Sequence, residues 1–148
     1  MATNDGTEPV ADDELLYRRI PVSMPWYSPE QGLSPEAFGP RPESSREPDL
    51  TGISVSRAKY KTVEEAARGM GKKGYYVAVL RAGDLRKSGI AVEPRPRPDD
   101  PAHAELPDLR TDNRLDPETL ERELRLTTLC LRIEGPFVLL RVPGNLHV

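Results

Sequence analysis

Tyr-Tyr-Val-Ala-Val-Leu-Arg, residues Tyr75–Arg81, is the stretch that decides the fold class of this chain. It is rich in aromatic and β-branched side chains, which favour a pleated strand packed against neighbours. We therefore predict a strand in the middle of a sheet. The segments on either side of it supply the other elements.

Shorter segments before and after this strand predict a mixed fold. Apolar or alternating runs predict further strands at residues 14–20, 52–56, 90–93 and, as an edge strand, 102–106. Thr62 and Glu65 have the spacing of a capping box, which predicts a helix over residues 62–68. One more helical turn is predicted over residues 84–88.

The C-terminal third predicts a helix followed by paired strands. Asp116 is a candidate cap for a helix over residues 116–125. Apolar strands over residues 126–134 and 137–142, joined through Gly-Pro, predict a β-hairpin. Strands and helices do not alternate regularly, so we predict the α+β class: a single compact domain with a largely antiparallel sheet, two or three short helices and a C-terminal β-hairpin.

Two segments are predicted to lack long regular elements. Residues 1–13 are small and acidic, which predicts a disordered tail and leaves residues 14–148 as the single domain. Residues 21–49 contain seven prolines and predict a long Pro-rich loop. Within that loop, Ser34 can cap a short helix with Pro35 at its first position.

Composition excludes several classes of function. The chain has 148 residues, a net charge of -3 and a pI of about 5.5, which argues against a nucleic-acid partner. The acidic start is unlike a secretion signal, and no apolar run approaches the roughly 18 residues that span a bilayer. We therefore expect a small soluble cytoplasmic protein with no membrane contact. The lone Cys130 is expected to be a small buried hydrophobe.

Two short motifs bear on ligand binding. Residues 69–74 (Gly-Met-Gly-Lys-Lys-Gly) lack the spacer and the Ser or Thr of a phosphate loop, and a flexible turn fits them better. Residues 94–98 (Pro-Arg-Pro-Arg-Pro) must be extended, as a crossing between strands or as a polyproline ligand. Arg95 and Arg97 are candidate partner-binding residues, although such charges can equally form a solvated face.

His103 and Glu105 are the candidate catalytic residues. His103 is the only internal histidine, so a metal site is not expected. If the segment is a strand, the two side chains share one face, because alternate residues of a strand point the same way. They could act together on a substrate, or they could simply satisfy each other.

Three segments resemble a small bacterial domain family of unknown function. They are residues 16–20 (Leu-Tyr-Arg-Arg-Ile), 52–56 (Gly-Ile-Ser-Val-Ser) and 101–105 (Pro-Ala-His-Ala-Glu). The resemblance spans roughly residues 16–106. It implies a bacterial origin and says little about chemistry.

The same segments also resemble the ADP-ribosyltransferase fold. In that fold a first-strand basic residue grips NAD, serines shape the nicotinamide pocket, and a late glutamate stabilises the ribose cation. The resemblance implies these cofactor-binding and catalytic roles for Arg18 or Arg19, Ser54 with Ser56, and Glu105. The middle motif departs from the family, since it lacks the usual Thr and aromatic residue. So does the catalytic motif, since the position two before the glutamate holds a histidine instead of an acidic residue or Gln.

Two functions follow from these patterns. The first is a non-catalytic protein-interaction module that needs no cofactor, favoured because the chain is poor in catalytic residues. The second is an NAD-consuming transferase or toxin. The second requires the arginine, serine and glutamate side chains to converge on one face of the sheet.

Overall fold

A computed structural model describes residues 5–68 and 74–138 of the chain. Its strands are Leu15–Pro21 (β1), Tyr27–Ser28 (β2), Gly32–Leu33 (β3), Ile53–Arg57 (β4), Tyr75–Arg81 (β5), Glu93–Pro94 (β6), His103–Leu106 (β7) and Arg132–Phe137 (β8). Its α-helices are Val63–Ala67 (α1), Ala82–Lys87 (α2) and Pro117–Leu129 (α3). Two 3₁₀ turns lie at Pro35–Phe38 and Thr111–Asn113.

Six of these strands form one antiparallel sheet in the order β6-β7-β4-β1-β5-β8. The predicted α+β class and antiparallel sheet are confirmed. Strand β5 covers the predicted residues and pairs on both sides, with β1 and β8. Strand β7 was predicted at an edge, but it lies between β4 and the two-residue β6, because Glu93 and Pro94 pair with it despite the adjacent prolines.

The two faces of the sheet are covered differently. On the core face, Leu16, Ile53 and Leu80 pack with Phe38 of the first 3₁₀ turn and Leu126 of α3 in one buried cluster. The opposite face, here called the site face, is covered by α1 over β1 and β5 and carries polar side chains on β4 and β7. The main hydrophobic core therefore lies between the sheet, α2, α3 and the Pro35–Phe38 turn.

The N-terminal segment differs from the predicted disordered tail over its described residues, 5–13. Val10 is buried in the main core. Gly6 has a φ of 88°, and its Cα lies so close to the Pro101 carbonyl that a Cβ would be 2.1 Å from the oxygen. The segment packs because the fully buried Arg57 donates hydrogen bonds to its carbonyls, a long-range contact that composition does not reveal.

The Pro-rich segment 21–49 was predicted to be a long loop, but it contains short regular elements. Strands β2 and β3 form a small hairpin inside it. The Ser34 side chain accepts a hydrogen bond from the Glu36 amide and Pro35 begins the 3₁₀ turn, as the sequence predicts. Phe38 at the end of that turn is fully buried, so the segment contributes to the core.

The helix and the strand in the C-terminal third begin or end at other residues than predicted. Helix α3 runs on to Leu129, and β8 begins only at Arg132, because Leu126 is a core residue of the helix. Gly135 and Pro136 lie within β8, where its register with β5 shifts. Most of the predicted strand 137–142 and of the glycine-rich stretch 69–74 lies outside the described residues.

Candidate functional site

Strands β4 and β7 bring four of the predicted site residues together. Ser54 lies directly opposite Glu105, and Ser56 lies opposite His103. Directly opposed residues on one face have Cβ atoms about 5 Å apart. The site face therefore carries a compact polar group of two serines, a histidine and a glutamate, as their spacing along the chain allowed.

The Glu105 carboxylate is already occupied. It accepts a hydrogen bond from the Thr51 hydroxyl at 2.6 Å, and the Arg95 Nε lies 3.9 Å away. The His103 Nε2 is 3.7 Å from the other carboxylate oxygen. That distance exceeds the range of a hydrogen bond, so the two side chains are not hydrogen-bonded to each other.

His103 is buried beneath the positively charged side chains at this end of the sheet. Burial, and then the nearby positive charge of Arg97, lower the pKa of the imidazole below its usual value. Its Nδ1 has no hydrogen-bond partner among the described residues. No hydrogen bond joins His103 to the hydroxyl of Ser54 or Ser56, so the part of the chain that the structure describes holds no activated nucleophile here.

The two candidate NAD-binding arginines do not join this group. Arg18 lies on the core face, where it donates hydrogen bonds to the carbonyls of Ala37 (3.1 Å) and Ser54 (2.9 Å). Burial lowers its pKa to about 10. Arg19 faces the same side as Ser54, but its guanidinium stacks on Tyr75, away from β7. The two hydrogen bonds of Arg18 connect the Pro35–Phe38 turn to the sheet, so this arginine has a structural role.

The two predicted partner-binding arginines lie beyond β6. Arg95 forms an ion pair with Glu93 at 2.9 Å, and its side chain is about half exposed. The backbone of Arg97 pairs with that of Asp100, and its side chain is exposed. Both are accessible, as the prediction of partner binding requires, and Arg95 already has an exposed ion-pair partner in Glu93.

A groove on the opposite side of the molecule was missed by sequence analysis. It lies between α3 and the Pro35–Phe38 turn, has a volume of about 250 Å³, and is here called the Trp26 groove. Its lining residues are Trp26, Glu36, Gly39, Pro40, Arg41, Pro42, Arg114, Leu120 and Glu123. No local signal could have found it, because the i, i+4 spacing of Leu120 and Leu124 is the usual pattern of a core-facing helix.

Glu123 is the unusual residue of the Trp26 groove. Only 5% of its surface is exposed. Its carboxyl group accepts no hydrogen bond from the described residues and forms no ion pair with any of them. Burial, and then the negative charge of Glu36, raise the pKa of Glu123 to about 7. The carboxyl oxygens are not fully enclosed, so they open to the groove. A nearly buried carboxyl group that has no partner among the described residues is unusual, and such groups concentrate at functional sites.

A wider hollow between α1 and residues 58–62 is less specific. It has a volume of about 520 Å³, and four of its nine lining residues are charged. Those of Lys59 and Lys61 are already paired, with Glu8 and Asp100 at 3.1 Å each. It therefore offers few free groups to a ligand.

Metal and thiol chemistry find no support in the described residues. No three His, Cys, Asp or Glu side chains within residues 5–68 and 74–138 cluster as a metal site would require. Cys130 is half-buried at the end of α3, and burial raises the pKa of its thiol. A raised pKa leaves the thiol protonated and unreactive at neutral pH.

No protein family model, curated protein or solved structure matches this chain. Among the described residues, no helix has the length and apolar character needed to cross a membrane. The function must therefore be argued from the geometry itself.

Proposed function

We propose that this chain is a non-catalytic protein-interaction module that binds a protein partner through α3. The observation that carries the proposal is the distribution of side chains around α3. The helix packs on the core through the fully buried Leu126, but Thr119 and Glu123 share that buried face, whereas Leu120 and Leu124 are 49% and 57% exposed. A helix that only served the core would bury such leucines and expose the glutamate.

The exposed leucines adjoin other apolar groups. Leu120 and Leu124 are one helical turn apart and therefore neighbours on the helix surface. Leu120 also lines the Trp26 groove together with Pro40 and Pro42. Single exposed leucines are ordinary, but a contiguous apolar patch with a polar rim is typical of protein interfaces. We call Leu120, Leu124 and the Trp26 groove the α3 surface.

The site face does not support catalysis to the same degree. The NAD hypothesis requires an arginine to converge with Ser54 and Glu105, but Arg18 is on the other face of the sheet and Arg19 is directed elsewhere. Glu105 is held by Thr51, as expected of a residue that stabilises the sheet. We therefore propose no NAD-consuming activity.

The test is capture of partners by the immobilised chain from a lysate of its source cells. We expect the wild type to capture a specific protein. The amount captured should fall at least about tenfold in Leu120→Lys/Leu124→Lys, because buried apolar anchors carry most of the binding energy at an interface. Glu105→Ala should capture the same protein undiminished.

The matched control is Val22→Lys/Val138→Lys, which adds the same charge at two exposed apolar positions that lie against Gly74 and do not line the Trp26 groove. Its capture should equal that of the wild type. Loss of capture in Glu105→Ala, with retention in the α3 variant, would move the interface to the site face. A wild-type dimer that the α3 variant turns into a monomer would make the partner a second copy and contradict the proposal.

A further inference from the structure

We infer that the Trp26 groove receives a lysine or arginine side chain of the partner protein, with its charged end against Glu123. This inference rests on the proposed function and adds to it the chemistry of the residue that is recognised.

The first observation is the isolated carboxyl group. Glu123 is 95% removed from solvent by the surrounding residues, lines the groove, and has no hydrogen bond or ion pair with any of the described residues. Buried charges in proteins are nearly always paired. A cation that enters the groove would supply the missing partner.

The second observation is the apolar lining. Trp26, Pro40 and Leu120 surround the approach to the carboxyl group. Lysine and arginine carry long apolar stems below a charged end, and the stem can lie along such a lining. The indole of Trp26 can also attract a cation through its ring face.

The third observation is size. The groove measures about 250 Å³, whereas small-molecule and cofactor sites generally enclose roughly 300–1,000 Å³. The groove also lies next to the exposed Leu124, so a partner that covers α3 would place its side chains at the groove entrance. One inserted side chain fits this space better than a cofactor does.

The fourth observation is charge. Arg41 and Arg114 also line the groove, but Arg41 pairs with Asp49 at 3.2 Å and Arg114 pairs with Glu43 at 3.2 Å. Glu36 and Glu123 have no such cationic partner among the described residues. The groove therefore complements a cation and would oppose an anion.

These charges also predict how binding depends on pH. A cation binds the ionised carboxylate, and the pKa of Glu123 in the free protein is about 7. The charged groups that face it are Glu36, Arg41 and Arg114, of which the arginines stay charged over this range. Affinity should therefore rise about tenfold between pH 6 and pH 8 as Glu123 ionises.

The experiment uses the fluorescence of Trp26, which is the only tryptophan of the chain. N-acetyl-arginine methylamide is titrated into the full-length protein, and the citrulline analogue serves as an uncharged control of similar shape. We expect a saturable change with the arginine probe, at least about tenfold weaker binding of the citrulline probe, and the rise with pH.

Glu123→Gln should abolish the preference for arginine over citrulline, whereas Glu105→Gln should keep it. If Glu123→Gln fails to fold, the arginine-to-citrulline ratio and the pH profile of the wild type decide the question alone. No saturable response up to about 50 mM, equal binding of both probes, or the same response to inorganic phosphate would overturn the inference. Each of these would leave the partner capture through Leu120 and Leu124 intact, so the two proposals can fail separately.

Discussion

Glu123 is a single residue whose ionised side chain lowers the stability of the fold. The pKa of its carboxyl group is raised from the usual 4.5 to about 7, first by burial and then by Glu36. Between these values the folded chain holds a proton that the unfolded chain has lost. The free energy of unfolding therefore falls as pH rises through this window and is level above it.

Replacing Glu123 with Gln removes this dependence. We expect Glu123→Gln to raise the free energy of unfolding by about 1–3 kcal/mol at pH 8 and to change it little at pH 4, where the glutamate is protonated in both states. Urea unfolding at the two pH values measures the difference. If Glu123→Gln changed the free energy of unfolding equally at both pH values, ionisation of Glu123 would not contribute to stability.

Arg57 is the opposite kind of buried charge, because it is fully paired. Its side chain is fully buried and contacts the Glu14 carboxylate at 2.9 and 3.1 Å and the Gly6 and Glu8 carbonyls at 3.1 and 2.9 Å. We expect Arg57→Leu to lower the free energy of unfolding by about 3–5 kcal/mol, since Glu14 would be left without its partner.

Urea unfolding also tests Arg57, with Arg86→Leu as the control. Arg86 pairs with Asp12, but both side chains of that pair are partly exposed. Exposed pairs contribute about 0–1 kcal/mol. Similar losses for the two variants would mean that the Arg57 network adds no more than a surface pair.

Residues 5–13 act as an element without regular secondary structure. Glu8 anchors the segment: a hydrogen bond from Tyr60, and then contacts with Lys59 and Arg57, lower its pKa to about 2 against the opposing effect of burial. A lowered pKa contributes stability above the usual value of 4.5, and that contribution is lost as pH falls to about 2.

Glu8→Gln tests this contribution of the N-terminal segment. We expect its melting temperature to lie below that of the wild type at pH 6, and the two to converge as the pH approaches 2. Thermal unfolding followed by circular dichroism at both pH values provides the comparison. A gap that stays constant with pH would contradict a role for the ionised carboxylate.

Different leucines of α3 contribute to the stability of the fold and to the proposed binding surface. Leu126 is fully buried, whereas Leu124 is more than half exposed. We expect Leu126→Ala to lower the free energy of unfolding by about 2–5 kcal/mol, and Leu124→Lys to change it by less than about 0.5 kcal/mol. Chemical denaturation of both variants checks this. A large loss in Leu124→Lys would mean that this side chain belongs to the core.

The molecule as a whole depends on contacts between distant parts of the chain. Removing residues 1–10 deletes the buried Val10 and the carbonyls that bind Arg57. We expect a loss of about 2–4 kcal/mol, and a clearly smaller loss when the truncation is made in Arg57→Leu, because the two changes remove the same contacts.

Urea unfolding of the four chains measures this coupling. A disordered acidic tail, as the composition alone predicts, would make the truncation neutral in both backgrounds. Additive losses in the two backgrounds would show instead that the segment packs independently of Arg57.

Local features of the fold could be predicted from the sequence, and the candidate binding surface could not. The capping box of Thr62 and Glu65 forms as predicted, since it depends on residues three positions apart. The end of α3 was placed four residues early, because an apolar run after Arg125 fits a strand as well as a buried helix. The Trp26 groove joins residues from both ends of the chain, which no local pattern connects.

Local sequence patterns were enough to predict the α+β class, the central strand Tyr75–Arg81, the capping box of α1 and the shared face of His103 and Glu105, whereas Asp116 begins α3 without a capping hydrogen bond from its side chain. These depend on neighbouring residues and on the periodicities of strands and helices. Three features depend on the folded chain and have no local signal: Arg57 binds the N-terminal segment, Arg18 lies on the opposite face of the sheet from Glu105, and Glu123 lies beside exposed leucines without a partner among the described residues. The physical reason is that burial and pairing of charges depend on partners brought together by packing, often fifty or more residues apart in the chain.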